Sequence, residues 1–302
     1  MQLDVFTHLK DRPLTADATA ASLGVKSEKL RPLLYALVAA GLLVANGELF
    51  SNTPETQHYL VRGSSYFRGS RMARRWEAIL KTAETIRTGV PQAKVDYSAF
   101  TQVELENFYR GGHAETLRAG RYLVNHYDFT SYHSLVDVAG GSGGMAIAIA
   151  QACPNLYATV IELPNSTSIA ECMVKESDVA GRMHVAAADV VEGPMTDSFD
   201  VAVTRSLIQV LSPDQARRAI KNIGQVIKDA GDLYILGNVL DNSRVSPLET
   251  VVQNLNLLSS YNDGQAYTEQ EHRDWMTEAG FVDIQREVLN NGHSIMTGKK
   301  SE

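Results

Sequence analysis

An α/β fold behind a helical front third is what this sequence predicts, and three observations predict it. After about residue 130, short apolar runs alternate with helical segments, the pattern of a parallel sheet covered on both faces. The first of these runs ends in a glycine-rich turn, Gly140-Gly141-Ser142-Gly143-Gly144. Before residue 95 the apolar spacing is helical instead.

The front third is read first. Leu14-Thr15-Ala16-Asp17 opens a short helix with Thr15 as N-cap, and Gly24 ends it. Ser27 is expected to cap a second helix, with Glu28 in its first turn. Leu30, Leu33, Leu34, Leu37 and Val38 fall on one helical stripe, and Gly41 stops it. Leu42–Val44, the Asn46-Gly47 turn and Leu49-Phe50 read as a two-stranded wing. Met1 to Leu9 reads as mid-helix, an upstream helix being absent or shortened.

A winged helix of this kind serves DNA binding or dimerisation. Only Lys26, Lys29 and Arg31 are basic on the second helix, and the chain carries a net charge of −7. Affinity for nucleic acid rests on cations that neutralise phosphates, so dimerisation is the preferred reading and no nucleic-acid partner is expected. From Pro54 to Val95 the pattern stays helical, with Trp76, Ile79, Leu80 and Ile86 expected against the next domain. Arg71, Arg74 and Arg75 form a basic cluster read as a solvated face. Gly89-Val90-Pro91 marks a break. The domains are placed at 1–95 and 96–302.

Size and composition bound the rest. The 302 residues are 44% hydrophobic and 21% charged, ordinary for a globular protein of two domains. No run approaches the roughly 20 apolar residues of a membrane span, and no signal peptide is expected. Cys153 and Cys172 make no disulfide framework and have no metal-ligand spacing. A cytoplasmic protein without metal is the expectation.

The expected strands are Leu135–Val138, Ala158–Glu162, Met183–Ala187, Phe199–Val203 and Leu233–Val239. A hairpin follows, Val282–Leu289 and Ser294–Gly298, turned at Asn290-Asn291-Gly292. The turn after Asp137-Val138-Ala139 leads into the apolar helix Met145–Ala152. Its glycines allow positive φ and close approach of a ligand to free helix N–H groups. The order G-G-x-G-G departs from the hydride-cofactor fingerprint. Glu162, at the end of the second strand, is placed to accept both hydroxyls of a ribose. Asp189, at the end of the third, is placed at the base edge. Both lie where open α/β sheets bind ligands.

These features together resemble the S-adenosylmethionine (SAM)-dependent O-methyltransferases of the plant caffeate, hydroxyindole and bacterial antibiotic-tailoring type. The winged-helix front, LVDVAGGSGG, IELP, AAAD and the terminal hairpin fall in family order over nearly the whole chain. The resemblance implies a Rossmann-like SAM methyltransferase sheet and a homodimer built through the N-terminal domain. It also implies SAM held by Asp137, Gly140, Gly141, Gly143, Glu162, Asp189 and Arg205. The family's D-V-G-G-G-x-G has Ala139 here in place of its first glycine.

The larger departure is catalytic. The family's histidine, in a segment like L-H-D-W-S-D-E, aligns with Gln209 in Ile208–Asp214, and its tryptophan aligns with Leu211. The two glutamates that hold that histidine align near Asn238 and Ala266. Glutamine takes no proton at neutral pH but donates and accepts hydrogen bonds, whereas a placed base contributes about 10²–10⁴-fold.

Three readings follow. The acceptor needs no base: a thioether such as a methylthio carboxylic acid, an amine, or an ionised phenol or enol. Gln209 then orients it, with Arg110, Asn238 and Tyr261 as candidate substrate contacts and Arg118 and Arg121 further along the same helix. Alternatively another residue is the base, with His113, Tyr109, Tyr261 and His272 as candidates. Gly111-Gly112 is expected to break the helix beside His113. In the third reading, methyl transfer is lost to another SAM-dependent chemistry or to a regulatory role. The first reading is preferred, because the implied cofactor set is retained.

Overall fold

The computed structural model describes all residues except Ser65, Ser98 and Pro194, and omits the side chains of Ser70, Arg71 and Arg74. The expected cluster of Arg71, Arg74 and Arg75 therefore lies largely outside the described residues. The chain divides into two compact units: Met1–Trp76 with Arg110–Gly112, and Glu77–Tyr109 with His113–Glu302.

In the first unit, helices Ala16–Leu23 and Ser27–Ala39 precede strands Leu43–Asn46 and Leu49–Asn52. Leu14–Thr15 adds a third strand, so the wing is three-stranded. Thr15 caps its helix, accepting from the Ala18 N–H at 3.2 Å, and Gly24 ends it at φ +66°. Ser27 does not cap. Lys26 holds that position, and the Ser27 hydroxyl donates to Asp17 instead. Of the expected stripe only Leu30 and Leu34 are fully buried, and Leu33 is exposed, because the short neighbouring elements cover less than the whole stripe. Met1–Leu9 holds one turn of helix, Val5–His8. Helix Gly69–Leu80 runs past the end of this unit at Trp76, and helix Thr82–Thr88 follows within the second, both as the pattern predicts. Trp76, Ile79, Leu80 and Ile86, expected against another domain, are exposed in the isolated chain.

The second unit is built on seven strands: β1 Ser134–Val138, β2 Tyr157–Glu162, β3 Met183–Ala187, β4 Phe199–Arg205, β5 Ile227–Gly237, β6 Phe281–Val288 and β7 Ser294–Lys300. Their order is β6-β7-β5-β4-β1-β2-β3. The first five run parallel, and β7 is antiparallel to both its neighbours. The hairpin is as expected, with Gly292 at φ +76° in its turn. The antiparallel strand is inserted beside β5, however, and β6 takes the edge. β5 is longer than the sequence predicts at its start. Val239–Leu240 leaves the sheet to pair with Tyr267–Thr268.

Helices α1 Gln102–His126, α2 Gly144–Ala152, α3 Thr167–Lys175, α4 Pro213–Gln225, α5 Leu248–Ser260 and α6 Glu269–Glu278 complete the unit. α1, α4 and α6 each begin with a full capping box, at Thr101, Ser212 and Thr268. α1 runs unbroken through Gly111-Gly112, against the expected break. Glycine lowers helix propensity by only about 1 kcal/mol, and the capping box with the long flanking turns outweighs that.

Two apolar layers cover the two faces of the sheet. Leu135, Val160, Val201 and Val203 pack with Leu123 of α1 and Ile149 of α2. Val136, Val138, Ala202 and Leu233 pack with Ile220 and Ile223 of α4. The side-chain period of two then decides where the charged strand ends point. Asp137 shares the parity of Leu135, Glu162 that of Val160, and Arg205 that of Val203. All three stand at carboxyl ends on the face covered by α1 and α2, beside the point where strand order reverses between β1 and β4.

Candidate active site

The β1–α2 turn is the centre of the site. Ala139, Gly141 and Gly143 adopt φ of +53°, +60° and +68°, which swings the chain sharply into α2 and leaves its first N–H groups open. A Cβ on Gly140 would come within 2.8 Å of Val160 and the Asp137 carboxyl, and one on Gly141 within 2.9 Å of the Tyr109 ring. Space thus requires glycine at both places, and at Gly141 the positive φ requires it as well.

Glu162 lies beside the turn with 5% of its surface exposed. Its Oε2 accepts the Gly141 N–H at 2.7 Å and its Oε1 the Leu163 N–H at 2.9 Å. Burial pushes its pKa up, while those two N–H groups and the Tyr109 hydroxyl act the other way. With these three donors in place the carboxylate keeps one of its four lone pairs for a ligand. Asp137, 1% exposed, accepts from the Ala146 N–H at 3.2 Å through Oδ2, while its buried Oδ1 has no partner. Burial, with Glu162 adding to it, raises this carboxyl to about 7, against the pull of Ala146 and Arg205. Such a turn, with an orphaned acceptor and a buried carboxylate, fits a ligand that brings hydroxyl or N–H donors, as a ribose does.

The other expected cofactor residues are less enclosed. Arg205 is half-buried, its guanidinium 3.9 Å from Glu115 of α1. Asp189 is exposed and bonds the Val191 N–H at 2.9 Å. The Ala188 N–H donates to the Glu162 carbonyl at 3.0 Å, which brings Asp189 to the same sheet edge.

Gln209 sits in a 3-10 turn, Ile208–Val210, after β4. It is 8% exposed, and its Oε1 accepts the Asn238 N–H at 2.8 Å. A Cβ on Gly237 would lie 2.9 Å from that oxygen, so glycine there admits the amide against the chain. Asn238 is 5% exposed, and its Oδ1 has no partner. The Gln209 side chain and the Asn238 main chain are thus joined. Ala266, the other aligned position, is buried and carries no polar side chain.

The candidate bases differ. His113 Nδ1 lies 2.9 Å from the buried Ser142 hydroxyl in the glycine turn, and Thr116 lies 3.3 Å from the same hydroxyl. Tyr109 faces Glu162 and Ser166. Burial first, then the Glu162 charge, drives its pKa well above the usual phenol value, so it serves as a donor. His272 is buried, its Nδ1 2.9 Å from the Thr268 carbonyl, and burial lowers it to about 4. It is a neutral packing residue against Tyr267 and Trp275. Tyr261 shares a hydroxyl bond of 2.9 Å with Tyr97, and a polar cavity of about 190 Å³ opens beside it, reaching Val210 and Ser212. Arg110 falls in the segment grouped with the first unit. Arg118 and Arg121 are exposed.

Sequence reasoning missed Glu115, Ser142 and Tyr97. Strand parity was the available signal for the shared face of Asp137, Glu162 and Arg205. The partners of these residues from α1 carry no local signal.

A parallel sheet of this order, with a glycine turn after its first central strand and a buried acid at the end of the next, defines a nucleoside-binding α/β enzyme. Residues 89–282 match the O-methyltransferase domain family. The chain belongs to that family, whose methyl donor is SAM. It is similar to the tetracenomycin polyketide synthesis 8-O-methyl transferase TcmO of Streptomyces glaucescens, 26% identical over 309 aligned positions, 99% of this chain and 91% of that protein. It is similar to the N,N-dimethyltransferase OxyT of Streptomyces rimosus, 26% identical over 96% of this chain and 88% of that protein. Among solved structures, PigF with SAH superposes at a TM-score of 0.82 with 20% identity, covering 99% of this chain and 93% of that one. Human N-acetylserotonin methyltransferase in complex with SAM superposes at 0.81 with 21% identity, covering 100% and 92%. The expected methyltransferase fold and family are borne out. No described helix is long and apolar enough to cross a membrane.

Proposed function

We propose that this chain transfers a methyl group from SAM to a small molecule whose acceptor atom needs little or no help from an enzyme base. Asp137, Gly140, Gly141, Gly143 and Glu162 hold the nucleoside end of SAM, with Asp189 and Arg205 at its margins. SAM when bound supplies an electrophilic methyl on a sulfonium. The chain's own residues align the acceptor with that methyl and exclude water.

One observation carries this reading: where the family's catalytic histidine aligns stands Gln209, a buried amide fixed to the Asn238 N–H. A thioether, an amine or an ionised phenol or enol supplies its own electron pair. Asn238 and Tyr261 are the substrate contacts that go with it. TcmO and OxyT, by their names an O- and an N-methylating enzyme, support a small-molecule acceptor.

A second reading rests on His113. Its contact with Ser142 places an imidazole at the glycine turn, and a base there restores ordinary O-methylation of a neutral hydroxyl. The exposed apolar side chains Ile79, Leu80 and Ile86, with Leu248, Val252 and Leu255 of α5, support a homodimer, since single chains seldom leave such patches bare.

Purified protein with SAM and one thioether, one amine and one acidic phenol, read as S-adenosylhomocysteine released, tests the proposal. Turnover with at least one of these, and little loss in His113→Ala, is expected. Turnover confined to neutral hydroxyls and abolished in His113→Ala favours the second reading. SAM binding without turnover in any class overturns both.

A further inference from the structure

Gln209 has a fixed polarity, and that polarity selects among acceptors. Its carbonyl end is engaged: Oε1 takes the Asn238 N–H at 2.8 Å and lies against Gly237. With its oxygen bonded to the main chain and set against Gly237, the amide has its NH2 end left to donate to a ligand. The site therefore offers N–H donors at the place where the family alignment puts a lone pair. The buried Oδ1 of Asn238 beside it is an acceptor without a donor, and a buried polar group left in that state is costly.

We infer that the acceptor is an ionised enol or phenol oxygen, held by the Gln209 NH2, with a hydroxyl or N–H neighbour that donates to Asn238 Oδ1. This rests on the base-free transfer proposed above and narrows its acceptor class. The chemistry separates the three classes. An oxyanion has three lone pairs, so it accepts from Gln209 and still attacks the methyl with another. A neutral amine has one lone pair, and a hydrogen bond to it removes the nucleophile. A thioether sulfur accepts only weakly. In the step, the oxyanion's electron pair forms the O–CH3 bond while the C–S bond breaks and its pair returns to sulfur. The positive charge of the sulfonium and the negative charge of the oxygen cancel, and no proton moves.

Because the oxygen loses its charge as the bond forms, Gln209 binds the ground state at least as strongly as the transition state. Its removal is thus felt mainly in KM. The test is methyl transfer by the full chain to substituted phenols and enolised 1,3-diketones, some with and some without a neighbouring hydroxyl. Their own pKa values straddle neutrality, and each is followed across pH. For every acceptor kcat/KM is expected to rise and level off at that acceptor's own pKa, with the flanking hydroxyl lowering KM.

Gln209→Ala is expected to raise KM about 10- to 100-fold for ionised acceptors, with a smaller effect on kcat. Gln209→Glu, which sets a carboxylate against the oxyanion, is expected to be worse than Gln209→Ala. A common inflection shared by all acceptors reveals an enzyme base, and Gln209→Glu outperforming Gln209→Ala with acceptors already ionised shows that no donor is needed at position 209; either result overturns the inference. Methylation of thioethers or amines but not of ionised oxygens overturns it while leaving base-free transfer standing. The wild-type pH series needs no variant to fold.

Discussion

Replacing Glu162 by glutamine changes the site by one charge at nearly constant shape. The carboxylate spends one lone pair of Oε2 on Gly141, one of Oε1 on Leu163 and a third on the Tyr109 hydroxyl, leaving one for a ribose hydroxyl. Glutamine keeps one acceptor oxygen and turns an NH2 toward a hydroxyl or a main-chain N–H. One charge-assisted bond, about 1.5–3 kcal/mol, is lost outright. At 1.4 kcal/mol per decade, the Kd for SAM and for S-adenosylhomocysteine should rise roughly 10- to 150-fold. Folding should not suffer equally, because the change also removes the cost of a buried charge, the cause of this group's raised pKa. Calorimetric titration gives the Kd, and thermal unfolding without ligand gives the stability. A Kd within about threefold of wild type, in a folded variant, would refute the role given to this carboxylate.

Other consequences follow from the same geometry. Asp137 has a pKa near 7 in the folded protein and about 3.9 in an unfolded chain. The folded state thus binds the proton more tightly, and stability falls as pH rises from about 4 to 7, by at most roughly 4 kcal/mol. Asp137→Asn should flatten that decline in unfolding midpoints measured across pH. His272 behaves oppositely: with a folded value near 4 against about 6.5 unfolded, its contribution is present above 6.5 and is lost as pH falls toward 4. His272→Asn should remove this acid-side step and leave methyl transfer within about threefold, since a neutral buried ring takes no part in it. Gly120 is where α1 crosses α2, and a Cβ there would fall 2.4 Å from the Met145 carbonyl. Gly120→Ala should cost about 1–3 kcal/mol in denaturant unfolding.

Much of this architecture was legible in the sequence because its signals are local. β1 to β4 show as short apolar runs, the turn after Val138 shows its glycines, and Glu162 stands at a strand end. Ser27 and Gly111-Gly112 were misread for one reason. A cap and a break were inferred from residue type, but a tertiary partner, Asp17, claimed the Ser27 hydroxyl, and a long capped helix absorbed the two glycines. Tyr109 on Glu162, His113 on Ser142 and Glu115 on Arg205 join α1 to strand ends far along the chain. Nothing in a local window encodes such pairings. The link from Gln209 to the Asn238 main chain is of the same kind, since it depends on how two turns at the sheet's carboxyl edge meet.

A crystal structure of the complex with S-adenosylhomocysteine tests base-free transfer most directly. A ribose hydroxyl should rest on Glu162, with the sulfur turned toward Gln209 and Asn238. No histidine, aspartate or glutamate should stand within hydrogen-bond reach of the space where an acceptor atom meets the methyl. A titratable side chain in that space, or a sulfur facing away from Gln209, would contradict the account.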